Sequence, residues 1–153
     1  DTLTDKTKHG SFHTSITALD ALQAYSERFP AEAAEAEQVR GRDFFLRHRL
    51  YRSHRTGEVA IPASVRFPLL PQWHFDVLRG LEHFASAAAP ADPRLQDAIG
   101  VLRRAQRKDR RWPTYAAYPG RKWFDLEPSG PSRWNTARVL RVLRWWDAAA
   151  ATA

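Results

Sequence analysis

The chain has 153 residues, of which 43% are hydrophobic, and 24 Lys and Arg against 17 Asp and Glu give a net charge of +7. This length and apolar content predict a single folded domain over residues 1–153 and exclude a chain that is mostly disordered. The absence of cysteine excludes disulfides, thiolate metal sites and cysteine nucleophiles. It also suits a reducing cytoplasm, where we expect the protein to reside.

Five helices are predicted from apolar residues that recur at helical spacing. In chain order they lie near residues 16–29, 31–51, 77–88, 93–102 and 136–146, and an Ala-rich tail follows at 148–153. Asp92 is the expected N-cap of the fourth helix, with Pro93 at its first position. No apolar run approaches the roughly 20 residues of a membrane helix, so no membrane span is expected.

Three helix starts share a pattern of an aromatic residue, a small polar cluster and a Leu-rich stripe. The matching strings are "SFHTSITALDAL" from residue 11, "QWHFDVLRGL" from 72 and "SRWNTARVLRVL" from 132. Their spacing of about 60 residues predicts a helical-hairpin repeat, with long loops near 53–72 and 108–133 leading into the later copies. Loops of this length in a compact domain are usually functional or part of the repeat.

A basic segment from Arg103 to Lys122 has eight basic residues and one acid. In it, Gln106, Arg110 and Trp112 have the spacing of a Q-x-x-x-G-x-W turn, with arginine where that turn has glycine. The glutamine can cap a helix end while the tryptophan covers the junction between hairpins. We therefore interpret Gln106 and Trp112 as a structural turn, in preference to a patch where Trp112 stacks on nucleic-acid bases.

The turn and the strings around Trp73 and Trp134 resemble the terpenoid cyclase and protein prenyltransferase superfamily. The resemblance extends over nearly the whole chain and is strongest to the C-terminal half of squalene-cyclase-like and prenyltransferase-like repeat proteins. It implies an all-α fold that forms part of an α/α toroid, in which inner helices line a cavity and outer helices wrap them. The Asp-rich and zinc-binding motifs that carry the superfamily's chemistry have no counterpart in this sequence, so no metal or other cofactor is expected.

The inner helix starts would direct polar and aromatic side chains toward one mouth of the expected lumen. The ligand-binding candidates are Phe12, His13, Trp73, Arg133, Trp134 and Asn135, and the candidate acid and base are His74 and Asp76. The competing interpretation is structural, because polar residues at helix starts usually cap the helix and tryptophans there usually pack between repeats.

Two functional hypotheses remain open at this point. The first is a terpene cyclase-like or prenyltransferase-like protein, or a fragment of one, that binds a hydrophobic isoprenoid-type ligand, with Arg121, Lys122 and Arg133 near an anionic group. The second is a non-catalytic basic helical-repeat module that binds a ligand, a protein or nucleic acid. Nucleic acid is not favoured, because no helix-turn-helix or zinc-finger pattern is present.

The number of predicted helices is smaller than a full α/α ring requires. Three inner-type and two outer-type helices make at most half of a ring, and the outer flanks of the first and last helices are apolar. Terminal repeats usually need a polar cap. We therefore expect these flanks to be covered by an absent N-terminal half, by another chain or by a second copy of this one.

Overall fold

The computed structural model describes residues 10–29, 32–121 and 123–151. Most of these residues are helical, as predicted. The helices are α1 (Phe12–Arg28), α2 (Glu32–Arg47), α3 (Val77–Ser86), α4 (Gln96–Arg104) and α5 (Arg133–Ala150). A short antiparallel pair, β1 (Trp112–Pro113) and β2 (Pro131–Ser132), forms the one sheet of the described residues. None of the described helices has the length and apolar character needed to cross a membrane.

Helix α3 lies at the centre of the molecule and contacts α1, α4 and α5. Six of its ten residues are buried, including Leu78, Leu81 and Phe84. Gly80 is required by close packing, because a Cβ there would lie 3.0 Å from the Phe75 ring and 3.1 Å from Leu50. Helix α2 packs on α1, and α1 in turn contacts α3.

Several helices begin or end away from their predicted positions. Helix α2 ends at Arg47, before the predicted residue 51, because Arg49 and Leu50 both adopt left-handed backbone conformations, with φ of 44° and 71°. Helix α3 begins at Val77 as predicted, since Asp76 is extended and caps it, but it ends at Ser86, before the predicted residue 88. Asp92 and Pro93 do begin the fourth helical segment, although its first turn, Pro93–Leu95, is a 3-10 helix.

The apolar flanks of α1 and α5 are covered in part by contacts within the chain itself. Val139, Val142 and Trp146 are buried in the common core, and Ile16 and Leu19 are buried on the α1 side. These helices pack on α2 and α3, and the sequence alone could not show that contact. The remaining exposed apolar residues of the two flanks are Tyr25, Phe29, Trp134 and Leu140. Thr152 and Ala153 of the Ala-rich tail lie outside the described residues.

Candidate functional site

The turn after α4 places Gln106 and Trp112 at one junction. Gln106 Nε2 donates a hydrogen bond to the Arg110 carbonyl oxygen at 3.1 Å, and Arg110 has a left-handed φ of 62°. Trp112 is 1% exposed, and its Nε1 donates to the Leu102 carbonyl oxygen at 2.7 Å. Its backbone N–H donates to Thr136 Oγ1 at 3.1 Å. Trp112 therefore connects the end of α4 to the first turn of α5, and its ring is not available to stack on a ligand.

A stack of three aromatic rings contains two residues from the segment before α3 and one from the loop after α4. His74 lies between Trp73 and Tyr118, with ring centroids 3.9 Å and 3.5 Å away. His13 from α1 approaches both Trp73 and His74 edge-on, and its Nδ1 accepts the Phe75 backbone N–H at 2.8 Å. Burial, followed by the nearby charges of His74 and Arg79, lowers the pKa of His13. The neutral ring is therefore the favoured form, as its acceptor role requires.

Asp76 is fully buried at the N-terminus of α3, where its Oδ1 accepts the Arg79 backbone N–H at 2.9 Å. Burial raises the pKa of this carboxyl to about 7, against the opposing effect of its hydrogen bonds from the helix backbone. Among the described residues, neither Asp76 Oδ2 nor His74 Nδ1 has a hydrogen-bond partner. The two candidate catalytic groups are thus close in sequence, but no hydrogen bond joins their side chains through these atoms.

The candidate residues at the start of α5 differ in their exposure to solvent. Asn135 is buried, and its Nδ2 donates to the carbonyl oxygens of Phe67 and Pro113 at 3.0 and 3.1 Å. Trp134 and Arg133 are exposed to solvent. Asn135 therefore ties two loops to α5 and presents no amide group to a ligand.

Phe12 also lies away from any lumen. Its ring packs against three other phenylalanine rings of the core, at centroid distances of 5.2 to 5.9 Å, and these belong to Phe44, Phe45 and Phe75. Its position in the apolar cluster between α1, α2 and the start of α3 makes it a packing residue.

The side chain of Glu127 lies at the start of α5 and contacts its backbone. Its carboxylate accepts the backbone N–H groups of Arg133 and Trp134 at 2.8 and 3.2 Å, together with the Ser132 hydroxyl. Burial acts to raise its pKa, but these hydrogen bonds prevail and lower it. A carboxylate in this position satisfies N–H groups that the first helical turn leaves without partners. Glu127 thus acts as a helix cap.

A groove of about 810 Å³ lies between residues 69–72 and the loop over residues 114–129. Its lining includes four strongly exposed apolar side chains, and these are Leu70, Trp123, Phe124 and Leu126. Trp123 is 76% exposed and Phe124 is 74% exposed. The Arg121 guanidinium lies over the Trp123 ring, 4.2 Å from its centroid. The groove therefore combines aromatic walls with the positive charge of Arg121, and its lining also includes the carboxylates of Asp125 and Glu127.

None of the site residues predicted from the helix starts lines this groove. Tyr118 connects the groove to the predicted site, since it lines the groove and stacks on His74. Sequence reasoning named Arg121 but missed Tyr118, Trp123 and Phe124. The sequence feature that could have identified these three residues is the cluster of aromatic residues in a long loop, where ligand-binding residues are common. Lys122, the other predicted anion-binding residue here, lies outside the described residues.

No group of three or more metal-binding side chains occurs among the described residues. Comparison of the chain with protein-family models, curated proteins and solved structures finds no match.

Proposed function

We propose that the protein binds an amphipathic small molecule, with an apolar isoprenoid-type body and an anionic group, in the groove next to the 114–129 loop. The observation that carries the proposal is the exposed Trp123 and Phe124 pair beside the Arg121 guanidinium. Binding pockets for small molecules typically combine apolar walls with a few polar groups that fix the orientation of the ligand.

The energetics favour such a ligand. Covering an exposed large apolar side chain contributes about 1.5 to 3 kcal/mol before the costs of binding are subtracted. Arg121 offers a planar set of N–H donors that matches a phosphate or carboxylate, and its stacking on Trp123 holds that set in place. The apolar body would cover Leu70, Phe124 and Leu126, while the anionic group would lie at Arg121.

The proposal agrees with the resemblance to the terpenoid cyclase and prenyltransferase superfamily, whose ligands are isoprenoids. It places the ligand in a groove formed by loops, whereas the resemblance implied a lumen between inner helix starts. Because the superfamily's metal-binding and acid motifs have no counterpart in the sequence, we propose that the protein binds this ligand without catalysis.

One observation favours a second, catalytic function. Asp76 has a pKa of about 7 and lies close enough to Tyr118 that its charge, after burial, contributes to raising the pKa of the Tyr118 hydroxyl. A buried carboxyl that titrates near neutrality is suited to general acid or base catalysis. In this alternative, the groove and Asp76 are related through Tyr118, which lines the groove and stacks on His74.

Titration with farnesyl diphosphate, followed by tryptophan fluorescence, tests the proposed binding. We expect saturable binding that Trp123→Ala weakens at least tenfold. Arg121→Gln should weaken farnesyl diphosphate but leave binding of neutral farnesol nearly unchanged. The matched control is Arg144→Gln, which removes one exposed arginine of α5 that does not line the groove. Equal effects of the two arginine substitutions would show that only net charge matters, and would overturn the proposal.

A single-stranded RNA oligonucleotide provides the competing test, because exposed aromatic residues beside arginine also stack on bases. Two arginines of the basic segment are already paired with acids, since Arg111 contacts Asp109 and Arg103 contacts Asp147. We therefore expect RNA binding to be weak and to disappear at moderate salt. Tight RNA binding that depends on Trp123, without binding of farnesyl diphosphate, would replace our proposal with a nucleic-acid module.

A further inference from the structure

Two histidines outside the groove lie close together in the segment that follows α2. His54 Nδ1 is 3.3 Å from His48 Nε2, and the two rings are nearly perpendicular. Zinc–nitrogen bonds of about 2.0 to 2.1 Å at a tetrahedral angle require a nitrogen–nitrogen separation of about 3.3 to 3.4 Å. We propose that His48 and His54 bind a divalent transition-metal ion of the zinc, nickel or copper class.

The hydrogen bonding of His48 prepares its Nε2 for this role. His48 Nδ1 lies 2.8 Å from the Arg52 carbonyl oxygen, which can only accept a hydrogen bond. Nδ1 is therefore protonated, and in the neutral ring Nε2 carries the lone pair that faces His54. Metal-binding histidines typically donate their other ring N–H to a carbonyl or carboxylate in this way, which fixes both the tautomer and the ring orientation.

The metal would replace the hydrogen bond between the two rings. In the metal-free protein, His54 Nδ1 donates a proton toward His48 Nε2. On binding, the His54 proton moves to its own Nε2, and Nδ1 then presents a lone pair to the ion. The proton stays on the same ring, so the net charge of that ring does not change, and the His54 side chain is exposed to solvent.

The backbone around His54 is held by a compact set of hydrogen bonds. Ser53 N–H donates to the Glu58 carbonyl oxygen, Gly57 N–H donates to Ser53, and a β-bridge joins Arg52 to Val59. A site on such a closed loop keeps its ligands in place at little entropic cost when the metal binds.

The positive charge of Arg52 near this site is compensated. Its guanidinium forms an ion pair with Asp97, and the Tyr51 hydroxyl donates to the same carboxylate at 2.9 Å. The pairing of Arg52 lowers the repulsion that a metal cation would otherwise meet.

The two imidazoles are fewer than the four protein ligands of a structural zinc centre, so we expect a labile site. Imidazole ligands suit zinc, copper and nickel, whereas magnesium and calcium prefer oxygen ligands. The site should therefore discriminate between these two groups of ions.

Calorimetric titration of the full chain with Zn²⁺ alone, repeated with Mg²⁺, tests the inference. We expect one equivalent of Zn²⁺ to bind and Mg²⁺ not to bind. His54→Gln should weaken Zn²⁺ binding at least tenfold, and because His54 is exposed this variant should melt like the unmodified protein. Arg55→Lys, at the neighbouring exposed position, is the matched control and should bind Zn²⁺ normally.

Ring-nitrogen NMR shifts add a readout that does not depend on affinity. Zn²⁺ should shift Nε2 of His48 and Nδ1 of His54, while the other imidazoles keep their shifts. The inference is overturned if Zn²⁺ does not bind, or if it binds equally well to His54→Gln, because the ion would then be held elsewhere.

Discussion

Arg110 differs from the Q-x-x-x-G-x-W pattern, which Gln106 and Trp112 on either side of it match. It adopts a left-handed backbone conformation, with φ of 62°, at the position where the Q-x-x-x-G-x-W turn has glycine. A residue with a side chain is strained by roughly 1 to 2 kcal/mol in this conformation, and glycine is not. The turn keeps its shape because Gln106 and Trp112 hold it from both sides.

Arg110→Gly should therefore stabilise the protein by up to about 1 kcal/mol, the relief of strain being partly offset by the greater freedom of glycine in the unfolded chain. Chemical denaturation measures this free energy of unfolding. Arg111→Gly removes the same charge at the next position, where φ is not left-handed, and should destabilise the protein. A loss of stability in Arg110→Gly would mean that the arginine side chain itself supports the turn.

Asp76 is the residue whose environment most changes its chemistry. Its pKa of about 7 in the folded protein lies well above the ordinary value of 3.8. The folded state therefore binds this proton more tightly than the unfolded state. This contribution to stability is complete below about pH 4 and is lost as the pH rises through about 7.

Asp76→Asn keeps a side chain that can cap α3 and removes the titration. Between pH 4 and pH 8, the free energy of unfolding of the unmodified protein should fall by about 2 to 4 kcal/mol relative to that of the variant. Urea denaturation at several pH values provides the measurement. Parallel pH profiles for the two proteins would show that the folded state accommodates the charged Asp76.

At the scale of elements, the helices follow from local sequence, and the connections between them do not. Apolar spacing identified all five helices, and Asp92 with Pro93 marked the start of the fourth helical segment. The early end of α2 has no comparable sequence marker, because neither Arg49 nor Leu50 is a residue that favours left-handed backbone. The end of α2 coincides with a tertiary contact, since the buried Leu50 packs next to Gly80 of α3.

The junction between α4 and α5 depends on Trp112. Trp112→Ala should lower the free energy of unfolding by about 3 to 5 kcal/mol, because it removes a large buried ring and leaves a cavity. Trp112→Phe retains most of the apolar contact but loses the hydrogen bond to Leu102, and should cost less. Any anion binding by the folded protein should be unchanged in both variants. Normal melting combined with lost nucleic-acid binding would contradict the structural role.

At the scale of the whole molecule, two ion pairs tie the central helix to its neighbours. Arg138 of α5 donates two hydrogen bonds to Glu82 of α3, at 2.9 and 2.7 Å, and both side chains are largely buried. On the other side, Arg79 of α3 pairs with Asp20 of α1 at 2.9 Å. These links fix how α1, α3 and α5 are placed relative to one another.

Breaking one of these links should be costly. Arg138→Ala leaves the Glu82 carboxylate without its partner, and we expect a loss of about 2 to 4 kcal/mol of stability. A double-mutant cycle with Glu82→Gln should give a coupling energy above about 1 kcal/mol. Arg144→Ala, at an exposed position of the same helix, serves as the control and should change stability by less than about 0.5 kcal/mol. Additive effects of the Arg138 and Glu82 substitutions would show that the pair contributes little.

The sequence by itself determined the helical class, the approximate positions of the five helices and the special spacing of Gln106 and Trp112, because these features depend on residues close together in the chain. Only the tertiary structure decided which of the candidate side chains are accessible. Phe12 and Asn135 are enclosed by loops and helices from distant parts of the chain, while Trp123 and Phe124 remain exposed. The approach of His48 to His54 likewise depends on a loop closure that has no periodic pattern in the sequence. Burial and side-chain convergence arise from contacts between residues far apart in sequence, which local patterns do not encode.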